Sequence, residues 1–496
     1  MKPLKQLIPS EVCLKCEVCC RFLTPESDMF PVFMKEEVKR LSPDRKSLFE
    51  PSSDDPSRVP TPLRPAATSY HGSGSQACAC PFFNPVTQEC AIYLNRPLDC
   101  QLYPFVLTLS PTRKRVFLSL DTQCPFVQDL TNQEALFGYG AYVQEYLEKK
   151  EVVDAVAGTS GFIRGSGETV LPLYPLAGLT EKLFQTTLFG NPPLPSAGLF
   201  LLTLKDREAV EYFFSASPRE FAEEAFPPLV AFSDLLRFYW KRELDVLFIV
   251  AEQGNNFFMP IPPITKKQTP QTLDAGFTLL ATLNKQGNDL RIEGLPFEAC
   301  VLATELGCTV YPKSPEYLYR RSDLAALAGD AYKSKRSLCN YFAKNYHFTY
   351  EPYRSRDFFG CFHLFKQWQE RRFLSEPTDA YEQALLEDAT FVHKRVLLHA
   401  RALGMEGRVV RIAGEIKGYT FGYALNDETW CILVEIADQK VKGLAQFLFR
   451  EFCREKKEFN WVSAMDDSGL ERLQRVKESY RPLCKKIPYV AVRKGP

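Results

Sequence analysis

Eight thiols set the first chemical question. Cys13, Cys16, Cys19 and Cys20 sit within eight residues, and Cys80, Cys90, Cys100 and Cys124 follow at readable intervals. Thiolates are soft ligands suited to Zn²⁺ and to iron–sulfur clusters, and a C-x-x-C step lets one tight turn present two sulfurs to one metal. Cys19 and Cys20 are adjacent, so they cannot both point inward from a regular strand. They suit two metals, or one metal with a distorted backbone. The eight sulfurs suit two four-thiolate sites, or one four-thiolate cluster with four thiols left over. Nine of the 16 cysteines precede residue 125, and the other seven show no ligand spacing. The competing assignment is a disulfide framework or a set of buried reduced thiols. Disulfides belong mainly to oxidising compartments, and the start, MKPLKQLIPSEVC, has neither the apolar stretch nor the small-residue cleavage site of an export signal. Metal binding in a reducing, cytoplasmic setting is the expectation.

The residues around the thiols narrow this. Cys80-Pro81-Phe82-Phe83, Cys90-Ala91-Ile92-Tyr93, Arg96-Pro97 and Cys100-Gln101-Leu102-Tyr103-Pro104-Phe105 occur in order after the first cysteine group. The first 130 residues or so resemble the YkgJ-like family, whose members carry C-x-x-C-x-x-C-C followed by these motifs and are described as zinc- or iron-chelating. The resemblance implies a metal site and leaves zinc or an iron–sulfur cluster open. Residues 40 to 77 form an insert relative to it, rich in Pro, Ser and Asp and expected as a surface loop. Cys78 falls on none of the motif positions. Arg96 and Tyr103 fit either a polar shell around the metal or ordinary surface.

The elements that must hold these residues come next. A chain of 496 residues exceeds what one core usually supports, so several domains are expected. Composition is that of a globular protein: 45% hydrophobic, 24% charged, net charge +1. Global charge therefore selects no polyanionic partner. No apolar run approaches the ~20 residues that span a bilayer. Residues 126 to 150 show a helical pattern, and 151 to 200 are Gly- and Pro-rich and read as a linker. From about residue 200, strands (Leu199 to Leu204, Leu244 to Ala251, Asn256 to Pro260, Leu290 to Ile292) alternate with helical segments (Pro218 to Trp240, Ala275 to Asn284, Phe297 to Leu306). Between Lys313 and Arg356 nine Lys/Arg face four Asp/Glu, with tyrosines interleaved. Such a segment suits a phosphate-bearing ligand or RNA, or else a solvated helix face.

The order after residue 378 is more specific. Thr378 caps a helix to Leu403, stopped by Gly404. Three strands follow (Arg408 to Ala413, Gly418 to Leu425, Thr429 to Ala437), then a helix from Lys442 to Lys456, a strand from Asn460 to Ala464 and a last helix. This is the order of a GNAT-type acyltransferase core, in which the N-terminus of the helix after the third strand faces a ligand's phosphates. Here that N-terminus carries Lys440, Lys442 and Gly443. Further matches are Tyr317-Leu318-Tyr319, Lys335-Arg336, Tyr350-Glu351-Pro352, Gly418 to Gly422 and Asp467-Ser468-Gly469 through Lys477 to Pro482. With them, residues of about 205 to 492 resemble the C-terminal domain family of phosphatidylglycerol lysyltransferases. The resemblance implies a tandem pair of GNAT-like lobes and transfer of an aminoacyl group from aminoacyl-tRNA to a lipid head group. Two departures stand out. Ser463-Ala464-Met465 replaces an Asn-Arg-Glu run, and Ser337-Leu338 replaces Asn-His.

The expected fold is therefore α/β (α+β): a small Cys-rich metal-binding domain at 1–150, a linker at 151–200, and a tandem GNAT-like acyltransferase pair at 201–330 and 331–496. Acyl transfer needs a deprotonated nucleophile held in line and donors for the developing oxyanion. Asp467 and Glu435 are the candidate base or orienting carboxylates. Lys477 is a further catalytic candidate, and Arg336, Lys440, Lys442 and Gly443 are candidates for holding the phosphates of acyl-CoA or aminoacyl-tRNA. Against these stand a structural Lys477–Asp467 ion pair and a surface role for Glu435. The five histidines lack zinc-protease spacing. The leading reading is a metal-binding protein with acyl- or aminoacyl-transferase activity toward an amine or lipid. The other is a metal-binding or redox-responsive protein with a degenerate acyltransferase fold.

Overall fold

A computed structural model describes residues 4–13, 20–22, 30–49, 68–69, 78–84, 86–87, 89–109, 115–129, 133–159, 161–164, 170–184, 198–254, 256–285, 287–375 and 379–495. The chain divides into two compact units, Met1–Leu188 and Phe189–Pro496. Most of the insert expected as a loop, along with Cys16, Cys19 and Thr378, lies outside the described residues.

In the first unit the helix Leu98–Leu102 (α1) leads into the strands Phe105–Leu109 (β1) and Val116–Asp121 (β2). The helices Gln133–Leu147 (α2) and Lys150–Ala157 (α3) follow, then the strands Ile163–Arg164 (β3) and Val170–Pro175 (β4) and the helix Ala177–Phe184 (α4). The sheet order is β3-β1-β2-β4, with β3 parallel to β1 and the other pairs antiparallel. All six residues of β2 are buried, as expected of an inner strand covered on both faces. Residues 151–188 of the segment expected as a linker are thus part of this unit and supply two of the four strands. The prolines of that segment misled because Pro172 and Pro175 lie on β4 at the sheet's edge, where a missing N–H breaks no inner ladder. A satellite core of Phe30, Phe33, Leu41, Phe49, Cys80, Phe82 and Ile92 lies apart from that sheet.

The second unit has two lobes. In the first, the strands Phe200–Leu201 (β5), Arg237–Glu243 (β6), Val246–Gln253 (β7) and Asn256–Phe258 (β8) form an antiparallel sheet. The stretch from Pro218 to Trp240, expected to be mostly helical, holds one short helix, Phe226–Ala231, before β6. Then come the helix Pro270–Leu283 (α5), the strand Leu290–Leu295 (β9), the helix Phe297–Glu305 (α6) and the strand Thr309–Pro312 (β10). A parallel bridge, Met259↔Ile292, links the end of β8 to β9.

The second lobe opens with the strand Glu316–Arg320 (β11), the helix Lys333–Asn345 (α7) and the strand Phe348–Pro352 (β12). Two long helices follow, Phe358–Ser375 (α8) and Ala380–Leu403 (α9), then the strands Glu406–Ile412 (β13), Glu415–Ala424 (β14) and Thr429–Ala437 (β15). The rest is the helix Leu444–Glu455 (α10), the strand Trp461–Ser463 (β16), the helix Glu471–Glu478 (α11) and the strands Cys484–Lys486 (β17) and Tyr489–Arg493 (β18). Asp379, one residue beyond the expected cap, accepts from Glu382 N–H at 2.8 Å to start α9.

The seven-stranded sheet runs β12-β13-β14-β15-β16-β11-β17. Helices α8 and α9 lie on one face, where His393 Nδ1 is 2.7 Å from Tyr419 Oη. Burial pushes His393 down to about 3 and His399 to about 4, so both are neutral, His393 within the core. Helices α7, α10 and α11 lie on the other face.

The two lobes exchange strands. β11 follows β10 in the chain but inserts between β16 and β17 of the second lobe. β18 follows β17 but inserts between β9 and β10 of the first. The expected lobe boundary at residue 330 is therefore crossed in both directions. Local alternation marks β11 as a strand without saying which sheet takes it.

Candidate functional site

Four thiols of the first unit open onto one cavity of about 140 Å³: Cys20, Cys80, Cys90 and Cys100. Short backbone pairings place them. Cys80 N–H donates to Cys20 C=O at 3.0 Å, Cys90 bridges Phe83, and Cys100 lies in α1. Carboxylates pin the surrounding loops. Glu37 accepts from the N–H groups of Leu98 (2.8 Å) and Met34 (2.9 Å), and Asp99 accepts from Val32 N–H at 3.0 Å. Burial pushes the Cys80 thiol up to about 12, with the Cys20 and Cys90 thiols adding to it. Cys90 and Cys100 are raised by burial as well, and the neighbouring thiols contribute to both. Left as thiols, these groups stay protonated. A bound cation is what would favour their thiolates.

The donor set therefore fits a soft metal ion or cluster. Among the described residues no three ligating side chains yet stand together at metal-holding distance. Of the remaining expected ligands, Cys16, Cys19 and the Cys13 side chain lie outside what is described. Cys124 is buried at the start of the short helix Pro125–Gln128, and it is not part of the cavity wall. Arg96 and Tyr103 both reach that wall. Arg96 lies over the Tyr93 ring at 4.3 Å, and Tyr103 Oη donates to Asp121 Oδ2 at 3.2 Å.

In the second unit the candidate site lies where two parallel strands part. β15 and β16 pair only at Thr429–Cys431 with Trp461–Ser463, after which β16 ends and β15 runs on to Ala437. Just past the parting, Phe421 pairs with Val434 and Gly422 with Ile432, so Leu433 is an extra residue with no opposite number on β14. Such a bulge re-aims the backbone and the side chains that follow it. Glu435 comes next on the α10 face, opposite Thr420. Glu435 Oε2 and Thr420 Oγ1 are buried without a hydrogen-bond partner among the described residues. Burial pushes the Glu435 carboxyl up to about 8.

Beyond β16 the backbone from Ala464 to Gly469 is strained, with Met465 at φ 61° and Ser468 at φ 52°. Tyr317 on β11 donates its phenol to Asp467 Oδ2 at 2.6 Å, and Asp467 Oδ1 accepts from Gly469 N–H at 3.0 Å. Lys477 Nζ donates to the carbonyls of Ala464 and Met465. Burial pulls Lys477 down to about 8, against the pull of Asp466, Asp467 and Glu316. Lys477 and Asp467 both bond around the Ala464–Gly469 turn, but each is satisfied mainly by other groups. On the opposite face of β11, Glu316 accepts from Ala222 N–H at 2.9 Å and from Ser463 Oγ at 3.3 Å, and burial raises it to about 8. Sequence reasoning missed Glu316, and it quoted Tyr317 only as part of a motif. The alternation Glu316-Tyr317-Leu318-Tyr319 is the signal that separates the two faces.

The expected phosphate cradle is occupied by packing. Gly443 (φ 85°) heads α10, and a Cβ there would lie 2.2 Å from the Leu338 carbonyl oxygen of α7. Its lack of a side chain serves the helix contact rather than ligand approach. Arg336 donates to the carbonyls of Leu327 and Gly329, Lys442 lies over Tyr341 at 4.7 Å, and Lys440 is exposed. Elsewhere in the basic stretch, Lys313 pairs with Glu223 (3.1 Å) and Glu293 (2.9 Å), Arg321 donates to Phe459 C=O, and Lys335 lies over Tyr480. Much of that charge is engaged within the fold, which its spacing does not reveal.

No described helix is long and apolar enough to cross a membrane. A search of curated proteins returns no match. Residues 12–125 match the CxxCxxCC family model, described as a "putative zinc- or iron-chelating domain". Among solved structures, a protein of unknown function from Bacteroides thetaiotaomicron superposes with a TM-score of 0.55 at 23% identity, over 60% of this chain and 99% of that one. L-PGS from Bacillus licheniformis is 17% identical, with a TM-score of 0.42, over 59% of this chain and 93% of that one. Residues 219–491, more than half of the chain, match the model "Phosphatidylglycerol lysyltransferase, C-terminal". The parted strands, the bulge and the two-lobed fold thus sit in a chain that belongs to the phosphatidylglycerol lysyltransferase C-terminal family.

Proposed function

We propose that the second unit transfers an acyl or aminoacyl group from a CoA thioester or an aminoacyl-tRNA ester to an amine or lipid-borne acceptor. The observation that carries this is Glu435, which faces Thr420 and whose Oε2 is buried without a hydrogen-bond partner among the described residues, immediately after the bulge where β15 and β16 part. With its affinity for protons near neutrality, Glu435 takes the proton from the acceptor nucleophile as that atom attacks the donor's carbonyl carbon. The carbonyl oxygen gains negative charge in the tetrahedral intermediate, and the unpaired Leu433 peptide offers an N–H toward it. Collapse breaks the bond to the donor's sulfur or oxygen, and the proton held on Glu435 passes to that leaving atom. Asp467, oriented by Tyr317, holds the acceptor in line, and Lys477 fixes the strained Ala464–Gly469 backbone beneath it.

The first unit binds zinc or an iron–sulfur cluster through Cys20, Cys80, Cys90 and Cys100 together with thiols of the Cys13–Cys19 group. Zinc would brace the loops, and a cluster would add one-electron chemistry. The setting is the reducing cytoplasm.

The test uses the full chain purified without oxygen. It is incubated with labelled aminoacyl-tRNA or acyl-CoA and with phosphatidylglycerol vesicles or a small diamine. Transfer that Glu435→Gln abolishes supports the reading. Failure to bind or consume either donor overturns it. Metal content and the absorption spectrum of the same sample test the first unit. Iron with sulfide and broad visible absorbance indicate a cluster, colourless protein with zinc indicates a structural site, and absence of both sinks the metal reading.

A further inference from the structure

One buried donor of the first unit, the Nε–H of Arg164, has no acceptor among the described residues. Arg164 ends β3, and its pairing with Thr108 of β1 fixes its backbone. Its side chain is 9% exposed and forms part of the wall of the thiol cavity. One arm of the guanidinium is engaged: Nη2 donates to Asp99 Oδ2 at 2.7 Å. That oxygen also accepts from Val32 N–H, and Asp99 directly precedes Cys100 in α1. The guanidinium plane is thereby held by a carboxylate that is itself fixed. Its Nε–H is buried and has no hydrogen-bond partner among the described residues. A charged donor kept out of water without an acceptor is costly, and native folds seldom retain one without a use for it.

Charge balance points to what the acceptor is. When four thiols bind one divalent metal they release four protons to solvent, and the centre keeps two net negative charges. A metal-bound thiolate is then both an anion and a hydrogen-bond acceptor, and donors aimed at ligand sulfurs tune such centres. Of the wall's charged donors, Arg96 lies on the Tyr93 ring, whereas Arg164 is oriented by Asp99. We infer that Arg164 is a positioning residue of the thiol site, donating its Nε–H to a metal-bound thiolate while Asp99 holds the guanidinium in place. The site thereby extends to residue 164, beyond the cysteine motifs. The inference rests on the metal-binding reading of the first unit.

The test titrates the metal-free full chain with Co²⁺ in competition with a chromophoric chelator. Thiolate-to-cobalt absorption is followed in the wild type, Arg164→Lys and Arg164→Gln. Lysine keeps a cation beside Asp99 but brings no fixed second N–H into the cavity. Both variants are expected to bind Co²⁺ roughly 10- to 100-fold more weakly, with a shifted charge-transfer band. The metal-free Arg164→Lys protein should melt within a few degrees of the wild type. Wild-type affinity and spectrum in Arg164→Lys would overturn the inference while leaving the metal site intact. Loss of the fold in both variants would assign Arg164 to the Asp99 pair alone and overturn it equally. No thiolate-to-cobalt band in the wild type would remove the metal reading and this inference with it.

Discussion

The Tyr317 phenol and the Asp467 carboxylate meet at 2.6 Å, although 150 residues separate them in the chain. β11 follows a first-lobe strand yet pairs inside the second-lobe sheet, so a residue at the junction of the lobes orients a carboxylate of the candidate site. Tyr317→Phe removes the donor and leaves Asp467 buried with one fewer partner. The expected loss is about 1.5–3 kcal/mol of stability, since the bond involves a charged group. Urea unfolding measures it. A fall in kcat that exceeds any change in KM would show that the bond also serves the reaction.

Glu435 should set the site's dependence on pH. Its folded proton affinity is raised to about 8 from 4.5. Below pH 4.5 the folded and unfolded chains are both protonated there, and above 8 both are ionised. Between those values the folded chain holds more protons, so stability falls as pH rises. Glu435→Gln should match the wild type near pH 4.5 and exceed it in stability at pH 8. Transfer should drop about 10²- to 10⁴-fold in the same variant. Equal slopes of stability against pH in the two proteins would show that Glu435 is ionised in the fold throughout.

Lys477 gives the opposite slope at higher pH. Its folded value is lowered to about 8 from 10.5. Between those values the unfolded chain holds more protons, so this residue makes stability rise with pH. Lys477→Met should lose that rise. The difference in unfolding free energy between wild type and variant, measured from pH 7.5 to 10, checks it.

Gly443→Ala tests whether the α10 N-terminus is a packing joint. The new Cβ meets the Leu338 carbonyl at 2.2 Å, and the residue must also hold φ 85°. A loss of about 2 kcal/mol or more is expected from strain and separation of α7 from α10. Thermal unfolding reads it. A wild-type melting temperature with weakened donor binding would instead restore the phosphate-cradle assignment.

The sequence is most readable where chemistry restricts the choice of residue. Few side chains replace a thiolate, so Cys20, Cys80, Cys90 and Cys100 could be picked out before the structure placed them on one cavity. The helix–strand order after residue 378 was readable because periodicity and turn residues agree there. Arg164 was not, since it lies in a Gly- and Pro-rich stretch and nothing in its spacing ties it to a cysteine. Gly443 misled because one residue type serves both ligand approach and helix contact. The strand exchange left no trace, because an alternating pattern says that a strand is buried without naming its neighbour.

That exchange also orders events during synthesis. β9 and β10 emerge from the ribosome early, but β18, the strand that joins them, is made roughly 200 residues after β9. At 5–20 residues per second, two strand edges of the first lobe stay unpaired for about 10–40 s. A ribosome that stalls in this interval releases a chain with open sheet edges, the kind of surface on which nascent chains aggregate. For the second unit there is no useful half-product: both lobes are completed together, by the same few residues, or neither is.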